Sequence, residues 1–372
     1  SYAYQADGVS VLLFAGRLDT DDTGTPALPM DIRFIATNLI GAQAEFELRD
    51  SLTLAARVSS NDVEHLMDNF GLRQAPMAPM QRENFTTGEG RQLSVSATLA
   101  MEESEISFGV SASEADHNAT ITNPNNDAFG ISNFADVRRD VASVFGEWRR
   151  DTARGDVEIG LRAKRVSADA GEVSASGLMG GMGTNVALLA ETFNSADRSR
   201  DWSSVDAVFK YRLQVDSGAE WHVELGSKTR APSYQEMYLW LPLQATGGLA
   251  DGRSYIGELG LGEERSNEIA VGFGKVIGRL TASPQIFYRR VDDYIQGVPS
   301  SNATANSVAM MMSGAPALEF ANVDAEIWGA DLAWKFELTD NWYVDGIASY
   351  VRGKRRDIED DLYRLAPGNA AV

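Results

Sequence analysis

The sequence has 372 residues, of which 44% are hydrophobic and 23% are charged, and its net charge is −20. So acidic a chain does not suit nucleic acid, whose phosphates call for lysine and arginine. The absence of cysteine excludes a disulfide framework, a cysteine zinc site and a thiol nucleophile. No apolar run approaches the roughly 20 residues of a membrane-spanning helix, but a membrane barrel, whose strands alternate in polarity, is compatible with this composition.

Alternation of apolar and polar residues recurs along the chain and predicts about fourteen β-strands. In segment 43–49, Ala44, Phe46 and Leu48 share one face, opposite Glu45 and Glu47. Further segments with this pattern begin near Leu52, Leu93, Ile106, Val157, Val205, Trp221, Ile269, Leu280 and Leu332.

The connections between these segments alternate in length. Tight turns are expected at 49–51, 101–103, 151–155, 216–218, 276–278 and 339–341, and long connections at 61–90, 114–135, 167–201, 229–265 and 297–321. A soluble β-sandwich has no reason for this asymmetry, which is typical of an outer-membrane barrel with short periplasmic turns and long extracellular loops. The prediction is an all-β, antiparallel transmembrane β-barrel whose apolar faces meet lipid and whose polar faces line a wet lumen.

The segment N-D-V-E-H-L-M-D-N-F (61–70) holds one of the three histidines of the chain. If it is extended, His65 and Met67 share one face, and the polar positions Arg57 and Ser59 earlier in the strand place that face in the lumen. An imidazole beside a thioether suits copper, which makes His65 and Met67 a candidate metal site. The alternative is a hydrogen-bonded lumen histidine beside a packing methionine.

Methionines cluster in the long connections and give a second signal. Thioethers there could form secondary metal contacts, or they could fill irregular gaps where loops fold over the barrel mouth. The seven are Met77, Met80, Met179, Met182, Met310, Met311 and Met312. Of the other histidines, His117 is expected to be solvated in a polar loop, and His222 to be lumenal and hydrogen-bonded to Glu220 or Glu224.

Four stretches in the second half of the chain resemble the barrel of TonB-dependent outer-membrane receptors. They are K-T-R-A-P-S-Y-Q-E-M-Y (228–238), G-E-L-G-L-G-E-E-R-S-N-E-I-A-V-G-F (257–273), F-Y-R-R-V-D-D-Y-I (287–295) and F-A-N-V-D-A-E-I-W-G-A-D-L (320–332). The resemblance implies a receptor, not an enzyme, in the outer membrane of a Gram-negative bacterium, with a barrel of about 22 strands around a plug domain. Residues 1–372 are then expected to be a partial barrel, without the plug and without the strands that would follow 364–367.

Within that family, D-V-E-H-L-M-D-N-F-G-L-R (62–73) resembles the copper-receptor subgroup, and so does A-L-P-M-D-I (27–32), which contains Met30. The resemblance implies that copper is the transported ligand, that a cysteine and a methionine of the plug complete its site, and that the TonB complex drives uptake through the plug. A receptor of the same family for a siderophore or another metal chelate is the alternative. An outer-membrane hydrolase built on His222 with Ser203 or Ser204 is a rival from another class.

Overall fold

A wall of antiparallel strands dominates the computed structural model, which describes residues 1–215, 218–242, 251–363 and 369–371. The strands described are β1 (Tyr2–Ala6), β2 (Val9–Thr20), β3 (Asp31–Arg49), β4 (Leu52–Asp68), β5 (Glu83–Met101), β6 (Ser104–Thr122), β7 (Gly130–Thr152), β8 (Gly155–Asp169), β9 (Ser174–Ser176), β10 (Arg200–Val215), β11 (Ala219–Arg230), β12 (Tyr255–Ile256), β13 (Glu264–Ile277), β14 (Leu280–Pro299), β15 (Leu318–Thr339), β16 (Trp342–Arg355) and β17 (Asn369–Ala371).

Helices occupy parts of the long connections. They are α1 (Gly180–Ser195), α2 (Tyr234–Tyr238) and α3 (Ala303–Ser313), with a 3-10 turn at Ala78–Met80. Within the described ranges, no helix combines the length and the apolar character needed to cross a membrane.

The wall is one antiparallel ladder from β1 to β17. Each strand pairs with the next along the chain, except that β8 pairs directly with β10 and β11 with β13, while β9 lies against β7 and β12 runs parallel to β15. The predicted antiparallel barrel wall, with its tight turns alternating with long connections, is therefore confirmed. For the residues described, β1 pairs only with β2 and β17 only with β16, so no ladder joins the two edges. Positions 216–217 of one predicted turn, and 364–367, lie outside the described residues.

The outward face carries an apolar band with a sharp upper limit. Val58, Leu93, Ala112 and Ala142 are paired in register across β4 to β7 and form its top row. Two residues higher, the paired row Ser60, Arg91, Glu114 and Asp140 is polar. A lipid-facing surface has this composition up to the level where charged groups meet water and headgroups.

The strands extend beyond this band, further than the sequence predicted. β4 continues to Asp68 and β5 begins at Glu83, so their connection is 69–82 instead of 61–90. Strand β7, for example, has 23 residues. A membrane-spanning strand needs only about 9–11. Pairing that continues above the band satisfies backbone groups that a long loop would leave to water.

The largest buried apolar cluster lies at the loop end of the wall. It joins the upper parts of β6 and β7 to the helices of the long connections, for example through Phe134, Leu189, Tyr238 and Val308. The connections that carry α1, α2 and α3 are therefore packed against the wall, as the second interpretation of the loop methionines requires.

Candidate functional site

The ladder between β4 and β5 runs from Leu52 to Asp68 without a register shift. The alternation of faces along β4 is therefore unbroken, and His65 and Met67 lie on the same face as Arg57 and Ser59. The opposite face carries the exposed Val58 of the apolar band. The predicted placement of both side chains on the lumen wall is confirmed.

His65 is half-buried, opposite Ile35 of β3 and Thr86 of β5. It stands five residues beyond Ser60, or about 16 Å along the strand above the outward polar row. Its Nε2 atom is buried and has no hydrogen-bond partner. Burial also lowers the pKa of His65 below 6.5. A neutral imidazole with a free nitrogen is the form that binds a metal ion.

Met67 lies one step nearer the loop end, opposite Ile32 and Asn84. Its thioether shares the lumen face with the His65 ring, since the two residues are two apart on one strand. Asn84 also has a buried atom without a partner, its Oδ1. The alternation of the sequence does not place Asn84 opposite Met67, because that requires the register between β4 and β5.

The end of β4 is held by Asp68, whose side chain is 1% exposed. Its carboxylate accepts hydrogen bonds from the backbone N–H groups of Phe70 (3.0 Å) and Gly71 (2.7 Å), and from Arg33 of β3 (2.7 Å). Aspartate caps its own turn in this way, so the D-N-F-G sequence ends the strand directly after Met67.

A second buried carboxylate fixes the start of β3. The Asp31 carboxylate accepts hydrogen bonds from the Nε of Arg73 (2.7 Å) and from the backbone N–H of Thr25 (2.8 Å). Met30, from the segment that resembles the copper subgroup, is 4% exposed beside it. The two ion pairs tie the start of β3 to the end of β4 and to the connection after it, so they brace the strand end next to the His65–Met67 pair.

The loop methionines divide into two groups. Met77 precedes the 3-10 turn and Met80 is its last residue, and Asn69 ties the turn to the end of β4 by a 3.1 Å hydrogen bond to the Met80 carbonyl. The others lie at the start of α1 or on α3, and these helices contact through Asn185 and Ser307 (3.0 Å). Six of the seven are exposed by about half or more: Met77, Met80, Met179, Met310, Met311 and Met312. Met182 packs against the buried cluster at the mouth, so for this residue the packing interpretation holds.

His117 was expected in a solvated loop, and that prediction is wrong. It lies in β6, and its ring contacts Phe134 (centroids 5.3 Å apart) and Tyr234 (4.5 Å). His117 is three residues above Glu114 of the outward polar row, and burial lowers its pKa to about 4. The burying groups come from β7 and α2, which are distant in sequence.

The hydrolase alternative fails on geometry. The His222 ring pairs with Gln285 at 3.1 Å, and not with the predicted Glu220 or Glu224. Ser204 donates to Glu263 (3.0 Å) and accepts from Thr229 (2.8 Å), while Ser203 lies on the exposed outward face. Neither serine is a hydrogen-bond partner of the His222 ring, so the three residues form no catalytic pair.

Over the part of the chain that the structure describes, no group of three or more His, Asp or Glu residues could hold a metal ion. The His65–Met67 pair instead offers one nitrogen and one sulfur donor. Such a soft, incomplete donor set suits copper and leaves positions open for further ligands.

Both the sequence and the fold of the chain are similar to known proteins. A family model described as "TonB dependent receptor-like, beta-barrel" matches residues 2–371. Among solved structures, the copper transporter OprC is similar over 99% of this chain and 53% of its own, with 21% identity and a TM-score of 0.77. No curated protein matches this sequence.

Two iron receptors are also similar. The ferric yersiniabactin uptake receptor FyuA from Yersinia pestis has 10% identity and a TM-score of 0.62, over 98% of this chain and 53% of its own. The ferric citrate transporter FecA has 10% identity and a TM-score of 0.59, over 97% of this chain and 51% of its own. The chain spans about half the length of these proteins, and likeness at this level shows the fold alone.

Proposed function

Because this chain belongs to the TonB-dependent receptor β-barrel family, we propose that it forms part of an outer-membrane receptor that takes up copper ions. Family membership places the chain in the outer membrane of a Gram-negative bacterium, and receptors of this family are transporters and not enzymes. In this proposal the transported ion is copper, and His65 and Met67 bind it.

One observation carries the proposal. His65 presents a buried, unpaired nitrogen next to the Met67 thioether on the lumen wall, above the apolar band and below the loops. A buried nitrogen without a partner costs free energy unless something from outside the chain satisfies it. A copper ion bound by both side chains would do so, and its route from the outside would pass this position.

The alternative cargo is a metal chelate, because receptors for ferric yersiniabactin and ferric citrate share the fold. A chelate arrives with its metal already coordinated and is recognised through its own polar groups. Donor atoms on the wall then have no metal to bind. The soft donors His65 and Met67 therefore favour a bare ion, and the likeness to a copper transporter agrees with that choice.

The exposed loop methionines extend the proposal outward. Met77 and Met80 stand next to the end of β4, and Met179 and Met310 to Met312 lie on or beside the packed helices of the mouth. Exposed thioethers gain little from water, and they bind copper weakly. We assign them a secondary role, in which they raise the local copper concentration at the mouth before His65 and Met67 bind the ion. Energy from the TonB complex, acting through the plug of the intact receptor, would then release it inward.

The test is the copper content of the full-length receptor, compared with the double variant His65→Ala, Met67→Ala. The copper affinity derived from this content at a fixed free copper concentration should fall at least about tenfold, which is a loss of about 1.4 kcal/mol or more. His222→Ala with Met101→Ala is the matched control, because it removes one histidine and one methionine elsewhere on the wall. An equal copper content of the wild type and of the His65→Ala, Met67→Ala variant would contradict the proposal. Uptake of an iron chelate without bound copper would establish the alternative.

A further inference from the structure

We propose that Asn84 is a third member of the copper site, and that its amide oxygen holds a water molecule bound to the metal and so favours Cu(II). The inference rests on the proposed function, since it assigns a role at the same site. Its basis is the surroundings of one side chain that neither the motifs nor the alternation of the sequence singled out.

Register places Asn84 beside both donors. It is directly opposite Met67 in the ladder between β4 and β5, and it is the diagonal neighbour of His65, which pairs with Thr86. Directly opposed residues of an antiparallel pair have their Cβ atoms about 4.5–5.5 Å apart, and diagonal neighbours are about 7–8 Å apart. The carboxamide therefore borders the space between the imidazole and the thioether.

The second observation is the hydrogen bonding. For the described residues, four buried side-chain nitrogen or oxygen atoms lack a partner: His65 Nε2, Asn84 Oδ1, Asn133 Oδ1 and Arg253 Nε. Two of the four are diagonal neighbours on one face of the wall. Native structures satisfy almost all such atoms, so two together indicate a group that does not belong to this chain. A single hydrated ion satisfies both, if Nε2 binds the metal and Oδ1 accepts a hydrogen bond from its water.

The chemistry of the oxygen then determines which ion benefits. Cu(I) is satisfied by soft sulfur and nitrogen donors, whereas Cu(II) prefers a tetragonal set that includes oxygen and water. An amide oxygen accepts hydrogen bonds without adding charge. Asn84 therefore stabilises the hydrated, oxidised ion and contributes little to a linear or trigonal Cu(I) complex.

The test compares both oxidation states in the full-length receptor carrying Asn84→Leu, which keeps the volume and removes the oxygen. Competition with chelators should show Cu(II) affinity reduced about tenfold, the low end of the effect of groups that orient metal ligands. Cu(I) affinity should stay within about twofold. The electron paramagnetic resonance spectrum of bound Cu(II) should shift, and Asn84→Asp, which restores an oxygen, should recover binding.

Asn61→Leu is the control, because Asn61 is another carboxamide on the lumen face of β4, four residues below His65. Equal losses for Cu(I) and Cu(II) in Asn84→Leu would overturn the inference and leave Asn84 a purely structural residue. Unchanged binding of both ions would overturn it as well. If His65→Ala, Met67→Ala abolishes copper binding while Asn84→Leu has no effect, only this inference fails. If the double variant keeps its copper, the proposed function itself fails.

Discussion

Two regions at the loop end of the wall differ in the hydrogen bonding of their polar side chains. At the base of α2, Arg230 donates two hydrogen bonds to Glu264 (both 2.7 Å) and two to Glu236 (2.8 and 3.1 Å). Glu236 also accepts from the backbone N–H of Ser233, and Glu264 from that of Ile295, each at 2.7 Å. At β4 and β5, by contrast, His65 and Asn84 leave two buried atoms unpaired.

The difference is the basis on which we propose a structural role for one region and a binding role for the other. The Arg230 network is complete within the chain, so it serves to hold a long connection against the wall. The His65–Asn84 corner has ion-paired strand ends but two buried side-chain atoms without a partner, and on this contrast we propose that it binds a group from outside the chain. His65 and Arg230 both lie in stretches that resemble the receptor family, and only the structure shows that their hydrogen bonding differs.

The largest expected effect comes from breaking the closed network with Glu264→Ala. Arg230 and the N–H of Ile295 lose a charged acceptor, which should lower the free energy of unfolding by about 2–3 kcal/mol. Denaturant unfolding in detergent measures this, and copper binding should not change. Glu268→Ala, which removes a more exposed partner of Arg289 on the same strand, should cost less. Equal stability of the two variants would contradict the structural role of the Arg230 network.

The next prediction concerns His117, which lies between the two regions and contacts Tyr234. Its pKa is about 4 in the folded wall and near 6.5 when unfolded, so between these values the unfolded chain binds more protons. Stability should therefore decrease as the pH falls through this window, with a contribution of up to about 1.4 kcal/mol per pH unit. His117→Phe keeps the ring contacts and should remove that part of the pH dependence. If the free energy of unfolding depended on pH in the same way in both proteins, the burial of His117 would be contradicted.

Asp68→Ala tests the rigidity of the open corner. The N–H groups of Phe70 and Gly71 and the guanidinium of Arg33 lose their acceptor, so the end of β4 loosens next to Met67. Copper affinity should fall about tenfold although both donors remain, as for other groups that support metal ligands. Asp62→Ala removes an outward carboxylate bonded to Asn38 on the same strand and is the control. Matching affinities in both variants would show that the strand end does not position the site.

The smallest effect is expected from replacing Met310, Met311 and Met312 with leucine. Leucine keeps the helical packing of α3 and removes the thioethers, so copper uptake at limiting concentration should fall about threefold, or about 0.7 kcal/mol. Met101→Leu at a short turn is the control. Uptake unchanged in the triple variant would leave these methionines as exposed packing residues only.

Sequence reasoning succeeded where the signal was local. Period-2 alternation located the wall strands, and the parity of Arg57 and Ser59 placed His65 correctly because β4 has no bulge. It failed where distant segments decide the outcome. His117 is buried by residues of β7 and α2, and Asn84 meets Met67 only through the register of β5. Helix α3 was missed although Asn302 caps its start and Gly314, with a φ of 73°, ends it, since both signals lie inside a segment interpreted as a loop.

The central claim is that His65 and Met67 bind the transported metal. X-ray absorption at the copper edge tests it most directly, on the full-length receptor loaded with copper and on the His65→Ala, Met67→Ala variant loaded in the same way. The wild-type spectrum should contain an imidazole shell and a sulfur shell, and the variant should lose the imidazole contribution and part of the sulfur. Identical spectra from the two proteins would contradict the claim, because copper would then be bound elsewhere.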